Sequence, residues 1–202
     1  MVVRYPNSVL IEPTQKVDFT RDDVKRLTND MYEMCRKEKG IGLAANQFSD
    51  LTTLSMFVID FDSRTEKDHS YTGVFINPEI ISHSNETVVI PEGCLSFPGV
   101  RVNKERWKTI KIRWKDVEDG DHEDEFDGMK SVVLQHEYDH VGGKTIISSL
   151  PGLKQKLIVE KMRKNMIKSA RQRAKEMNIR LPSREEQQER IDVETGKRTV
   201  DE

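Results

Sequence analysis

The chain has 202 residues, 34% of them charged, yet its formal charge is only −2. That length suits one domain of ordinary size plus a tail, and no apolar run reaches the ~18 residues of a membrane span. Cys35 and Cys94 are the only cysteines, too few for a disulfide framework, so a reducing, cytoplasmic setting is expected, with no membrane or DNA partner and a monomeric chain.

The opening Met1-Val2-Val3-Arg4-Tyr5-Pro6 lacks the apolar stretch of a signal peptide. Residues 1–19 read as an irregular arm punctuated by Pro6 and Pro13. Thr20-Arg21-Asp22-Asp23 offers a helix N-cap with acids in the first turn. Val24, Leu27, Met31, Met34 and Cys35 then recur at helical spacing, and Gly40 can close the helix. Cys35 on that apolar face reads as a small buried hydrophobe.

Gly40-Ile41-Gly42-Leu43-Ala44-Ala45-Asn46-Gln47 follows. Its small side chains let a ligand or a second backbone approach closely, as in a loop that lines a site. It is no phosphate loop, because no Gly-Lys-Ser/Thr follows. Strands are expected at Ser55–Asp60, Val74–Pro78, Glu86–Ile90 and Thr109–Trp114, which are rich in β-branched and aromatic residues. Short strands ahead of a run of helices imply an α+β fold with antiparallel strands.

Pro91-Glu92-Gly93-Cys94-Leu95-Ser96-Phe97-Pro98-Gly99 lies between two strand-like runs. Cys94 reads either as a buried thiol in a turn or as a thiolate, serving as metal ligand or nucleophile. Residues 116–127 are dense in acids and read as a solvated hairpin loop with His122 exposed. The spacing of a calcium loop is absent there. His69 and His83 stand in polar surroundings and receive no role.

A helix is expected from about Gly128 to Gly142-Gly143, its segment Ser131-Val132-Val133-Leu134 buried. It carries His136 and His140, which at i, i+4 share one face and can hold one metal ion. Glu137 between them can reach a water at the open position and take its proton. Two histidines need a third ligand, which favours the ligand reading of Cys94, since mixed Cys/His sets suit zinc and iron. After Pro151-Gly152 a second helix begins, with Leu153, Leu157, Ile158, Met162, Met166 and Ile167 as its apolar stripe. Nine lysines and arginines from Lys154 to Lys175 oppose only Glu160 and Glu176, which favours a phosphate-bearing partner such as RNA. Leu181 to Glu202 reads as a polar, mobile tail.

Taken together, Gly40–Gln47, Glu92–Ser96 and Gln135–His140 resemble, in order, the three motifs of peptide deformylase, G-x-G-L-A-A-x-Q, E-G-C-L-S and Q-H-E-x-D-H. Tyr5-Pro6, Ile76-Asn77-Pro78 and Gly143 extend the resemblance to about residues 3–175. It implies a catalytic domain over 1–176 with a tail over 177–202, built of antiparallel strands around a central metal-binding helix, with an N-terminal and a C-terminal helix. The implied activity is removal of the formyl group from the N-formylmethionine that starts new chains. By the same resemblance Cys94, His136 and His140 bind one divalent ion, Fe²⁺ foremost, with Zn²⁺, Ni²⁺ or Co²⁺ as substitutes. Glu137 moves the proton, and Gln47 and the Leu95 N–H stabilise the oxyanion. Ile41, Gly42, Ile90, Glu92, Gly93, Met129, Val132 and Val133 line the peptide and its methionine pocket. Arg101 stands at the rim, and Arg106 is the positional partner of Glu92. The basic helix over 153–176 resembles the one by which bacterial members dock on the ribosome. Ile11 after Leu10 and the polar run Val141-Gly142-Gly143-Lys144-Thr145 depart from the family pattern.

Two alternatives compete. A zinc protease would use Glu160 as third ligand but leaves Cys94 and Gly40–Gln47 without a role. An RNA-binding domain with structural zinc would normally close the metal with four ligands.

Overall fold

The computed structural model describes residues 2–18, 24–48, 53–61 and 71–177. In chain order its elements are α1 (Val24–Lys37), β1 (Gly42–Ala44), β2 (Met56–Phe61), β3 (Tyr71–His83), β4 (Thr87–Cys94), β5 (Phe97–Trp107), β6 (Thr109–Lys115), β7 (Asp121–Asp127), α2 (Gly128–Val141) and α3 (Gly152–Glu176). Short 3₁₀ turns stand at Ser8–Ile11 and Ala45–Gln47. Two compact units divide the chain, Met1–Ile158 and Val159–Glu202, with the boundary inside α3.

The first unit holds two antiparallel sheets, one in the order β1-β2-β3-β6-β7 and a separate pair β4-β5. Period-two alternation along β2 sorts its side chains between two cores. Met56 and Val58 join Val24, Leu27, Met31 and Cys35 of α1 on one face. Phe57 and Ile59 join Phe75, Ile110, Ile112, Phe126, Val133 and Leu134 on the other, where α2 packs. A helix on each face explains why Met56–Ile59 is apolar without a break. Phe57 and Phe75, cross-strand partners, stack with centroids 4.9 Å apart; burying each ring contributes about 1.5–3 kcal/mol.

The central helix α2 is buried on several faces, at Ser131, Val132, Val133, Leu134, Gln135, Glu137 and His140. Polar side chains dock it to the end of β5. Gln135 Oε1 accepts from Trp107 N (3.0 Å), while Gln135 Nε2 (2.8 Å) and Ser131 Oγ (3.0 Å) donate to Trp107 O. The fold is thus α+β, with antiparallel strands around this helix and a helix nearer each end.

The four expected strands are present, two of them longer than their apolar cores suggest. Three strands were unexpected. Gly42–Ala44, read as a loop, pairs with β2. β5 hides behind polar residues because one of its buried positions is Arg106 rather than an apolar side chain. β7 occupies most of the acidic stretch read as a loop; Phe126 is its only buried side chain. Backbone pairing with β6 and the ion pairs Lys111–Glu123 (2.7 Å) and Arg113–Glu123 (3.0 Å) hold it. The loop shrinks to a turn in which Asp116 Oδ1 accepts from Glu118 N and Gly120 N. His122 is exposed, as expected. The arm before α1 is less irregular than expected, with Val2 bridged to Phe48 and Leu10 fully buried. Of the expected apolar stripe of α3, Met162 is buried and Ile158 half-buried, while Leu153, Leu157, Met166 and Ile167 are exposed. The N-cap Thr20–Asp23, His69 and the tail 181–202 lie outside the described residues. Among those residues no helix is long and apolar enough to cross a membrane.

Candidate metal centre

Two elements that share no sequence neighbourhood converge here. The helix α2 offers His136 and His140 on one face, their ring centroids 5.2 Å apart. β4 ends at Cys94, where its pairing with β5 slips after Glu92. The ligand atoms of Cys94, His136 and His140 all lie within 4.8 Å of one another. Cys94 Sγ stands 3.3 Å from His140 Nε2, close to the roughly 3.5 Å separating two such ligands on a tetrahedral ion. Glu160, the ligand of the protease alternative, is not in this group.

The electrostatics suit a cation. Burial would raise the Glu92 carboxyl, but hydrogen bonds from Arg106 and His136 outweigh it and hold it at about 2. Arg106 grips Glu92 with two nitrogens, Nε at 2.6 Å and Nη2 at 2.9 Å, and reaches Asp139 Oδ2 with Nη1 at 2.8 Å. His136 Nδ1 donates to Glu92 Oε2 at 2.8 Å, which leaves Nε2 as the ligand atom and fixes the ring. Burial would also raise the Cys94 thiol, yet the imidazoles of His140 and His136 bring it down to about 5, so it is a thiolate near neutrality. Burial disfavours a charged His136, but its bonds to Cys94 and Glu92 raise it to about 10. A thiolate and the His136 imidazole that compete this strongly for protons fit a divalent ion.

Glu137 lies against β1, at Gly42. It is buried, Oε2 has no hydrogen-bond partner among the described residues, and burial lifts its carboxyl to about 7. A carboxyl titrating there can both take and return a proton at neutral pH. Only a glycine leaves it room: a Cβ on Gly42 would stand 2.5 Å from Glu137 Oε1. Gln47 is fixed at both ends of its amide. Its Oε1 accepts from Ala44 N at 3.0 Å, and its Nε2 donates to Ser96 Oγ at 3.1 Å and towards Cys94 Sγ at 3.3 Å.

The remaining expected residues scatter around this centre. Leu95 occupies the turn after Cys94, Gly93 is exposed and Ile90 half-buried. Ile41 and Met129 are large exposed apolar residues, and Arg101 is exposed with Nη1 3.5 Å from Pro91 O. Val132 is buried, and Val133 packs in the core under the main sheet. The carboxylate of Glu92 is taken up by Arg106 and His136. Sequence reading gave no role to Ser96, Asp139 or Asn46; each is a polar motif residue whose partner lies far along the chain.

The family model of polypeptide deformylases matches residues 1–156. The chain is 38% identical to the peptide deformylase of Aquifex aeolicus over 163 residues, 81% of this chain and 94% of that one. It is 38% identical to that of Cytophaga hutchinsonii over 164 residues, 80% of this chain and 87% of the relative. The crystal structure of the Ehrlichia chaffeensis peptide deformylase superposes with a TM-score of 0.77 at 27% identity, over 84% of this chain and 97% of that one. The same enzyme in complex with actinonin superposes with a TM-score of 0.74 at 28% identity, over 81% and 95%.

Proposed function

The chain belongs to the polypeptide deformylase family, and from that premise we propose how its own residues carry the reaction. The enzyme is a metal-dependent hydrolase that removes the formyl group from N-formylmethionine at the start of new polypeptides and releases formate. The observation that carries the assignment of residues is the convergence of Cys94, His136 and His140 beside the buried Glu137.

Cys94, His136 and His140 would hold one divalent ion, Fe²⁺ foremost, with Zn²⁺, Ni²⁺ and Co²⁺ as substitutes. When bound, the ion supplies Lewis acidity that polarises the formyl oxygen and acidifies water. Glu137 accepts the proton of the attacking water as its oxygen bonds to the formyl carbon. Gln47 Nε2 and the Leu95 N–H donate to the oxygen on which negative charge develops. Glu137 then returns the proton to the leaving nitrogen as the carbon–nitrogen bond breaks, which yields formate and a free methionyl amine. The peptide adds as a strand between the Gly40–Gly42 segment and β4, at Gly42 and Gly93. Ile41, Ile90, Met129, Val132 and Val133 enclose the methionine side chain, with the Glu92–Arg106 pair behind His136 and Arg101 at the rim.

Formate release from formyl-Met-Ala-Ser, with protein purified anaerobically in Fe²⁺ or Ni²⁺, tests this. Rapid release is expected, and none from a metal-loaded protein would reject it. We further assign the enzyme to the cytoplasm as a monomer, docking on the ribosome through the basic face of α3. Reversing Lys161, Lys164 and Lys168 to Glu should weaken ribosome co-sedimentation at low salt and leave hydrolysis of the short peptide unchanged; unaltered co-sedimentation would reject the docking role.

A further inference from the structure

Asn46 sits in the 3₁₀ turn after β1 and is completely buried. Its Nδ2 donates to the backbone oxygen of His140, 94 positions along the chain, at 2.7 Å. That oxygen also accepts from Gly143 N at 3.0 Å where α2 ends. Among the described residues, two buried polar atoms near this bond have no partner, Asn46 Oδ1 and His140 Nδ1. They belong to the two residues the bond joins, and they are complementary. Once His140 Nε2 faces a metal, Nδ1 must carry the ring hydrogen, a donor that a buried site has to satisfy. Asn46 Oδ1 is an acceptor with nothing else to accept.

The contrast with His136 sharpens the point. The Nδ1 of His136 is held by Glu92, itself clamped by Arg106. Among the described residues no such carboxylate serves His140. The C-terminal end of α2 has a second tie that bypasses the ring, from Thr14 N and Oγ1 to Val141 O, each at 3.0 Å.

We propose that Asn46 is the positioning residue of His140, fixing its backbone through Nδ2 and its ring hydrogen through Oδ1 across one buried water. It thereby sets the tautomer and direction of the third ligand, as Glu92 does for the second. This rests on the metal reading above, and it gives one residue of the glycine–alanine segment a task distinct from that of Gln47.

The test is a Co²⁺ titration of the intact chain, following the thiolate-to-cobalt and d–d absorption bands. It is paired with ¹⁵N spectra of the histidine side chains in zinc-loaded protein. Asn46→Leu, which keeps the branched outline and removes both polar atoms, should weaken Co²⁺ binding about 10–100-fold and shift the d–d bands. It should also expose the His140 Nδ1–H to rapid exchange while the His136 Nδ1–H stays protected. Asn46→Ser, which keeps a smaller donor and acceptor, should fall between Leu and the parent and guards against a misfolded Leu variant. Thr14→Val loosens the same helix end and should leave bands and both ring hydrogens unchanged. Cobalt affinity within twofold of the parent in both Asn46 variants would overturn the inference, and so would a Thr14→Val protein that reproduces the losses. A parent protein with no thiolate-to-cobalt band would instead reject the metal reading itself.

Discussion

Gly42→Ala separates the proton-carrying carboxylate from the metal ligands. A Cβ at this position would lie 2.5 Å from Glu137 Oε1 and 2.8 Å from both Cδ and Cγ. Contact with Oε1 would fall about 0.9 Å short of ordinary van der Waals distance. The backbone tolerates alanine, since Gly42 is in a strand paired with Ile59 and has no positive φ. The fold should therefore survive, and Glu137 must retreat by nearly an ångström. A catalytic group misplaced that far costs on the order of 10²-fold, within the 10²–10⁴-fold a general base supplies. We expect kcat for formyl-Met-Ala-Ser to fall about 100-fold, close to 2.7 kcal/mol of barrier. Metal content, read by atomic emission, should stay at one ion per chain, because Cys94, His136 and His140 are untouched. Activity within about threefold of the parent would refute the placement of Glu137, and loss of metal alongside activity would refute its independence from the ligands.

Other residues give sharp outcomes as well. Cys94→Ser should abolish metal binding while Glu160→Gln keeps it; the reverse pattern in equilibrium dialysis would favour the protease-like ligand set. Arg106→Leu breaks a buried ion pair and leaves the Glu92 carboxylate with His136 as its remaining partner, which costs about 3–5 kcal/mol. The metal-free protein should then melt roughly 6–20 °C lower, and a drop below about 3 °C in calorimetry would contradict a clamp. Burial, helped by Glu137 and Asp60, raises the Cys35 thiol to about 12, and burial raises the Tyr32 and Tyr71 hydroxyls to about 12. Each folded value lies above its unfolded one, so this stabilisation is complete below the unfolded values near 9–10 and is lost as pH rises towards 12. Denaturant midpoints should fall steeply from pH 9 to 12, and less steeply in Cys35→Ala; parallel curves would exclude the buried thiol as a contributor.

The parts of the fold legible in the sequence are those whose own side chains carry the period. α1 declares itself by Val24, Leu27, Met31 and Cys35, and β2 by the unbroken run Met56–Ile59, all of them buried. The strands β5 and β7 stayed hidden because their pairing rests on the neighbouring strand. Arg106 takes a core position only because Glu92 and Asp139 meet it there, and the acids of β7 are tolerable only beside Lys111, Arg113 and Lys115 of β6. At the site, the i, i+4 histidines and Glu137 were readable from spacing alone. Cys94 carries two readings in the sequence, and its sulfur standing 3.3 Å from His140 Nε2 supports the ligand reading. Asn46 could not be read, because its partner lies in another element and no local pattern marks a bond across 94 positions.

The central claim is that Glu137 moves the proton while Cys94, His136 and His140 hold the ion. Formate release and metal content measured together on Glu137→Gln test it most directly. The account predicts one ion per chain, bound as tightly as in the parent, with turnover of formyl-Met-Ala-Ser reduced by at least about 10²-fold. Turnover close to the parent value with the ion in place would contradict it.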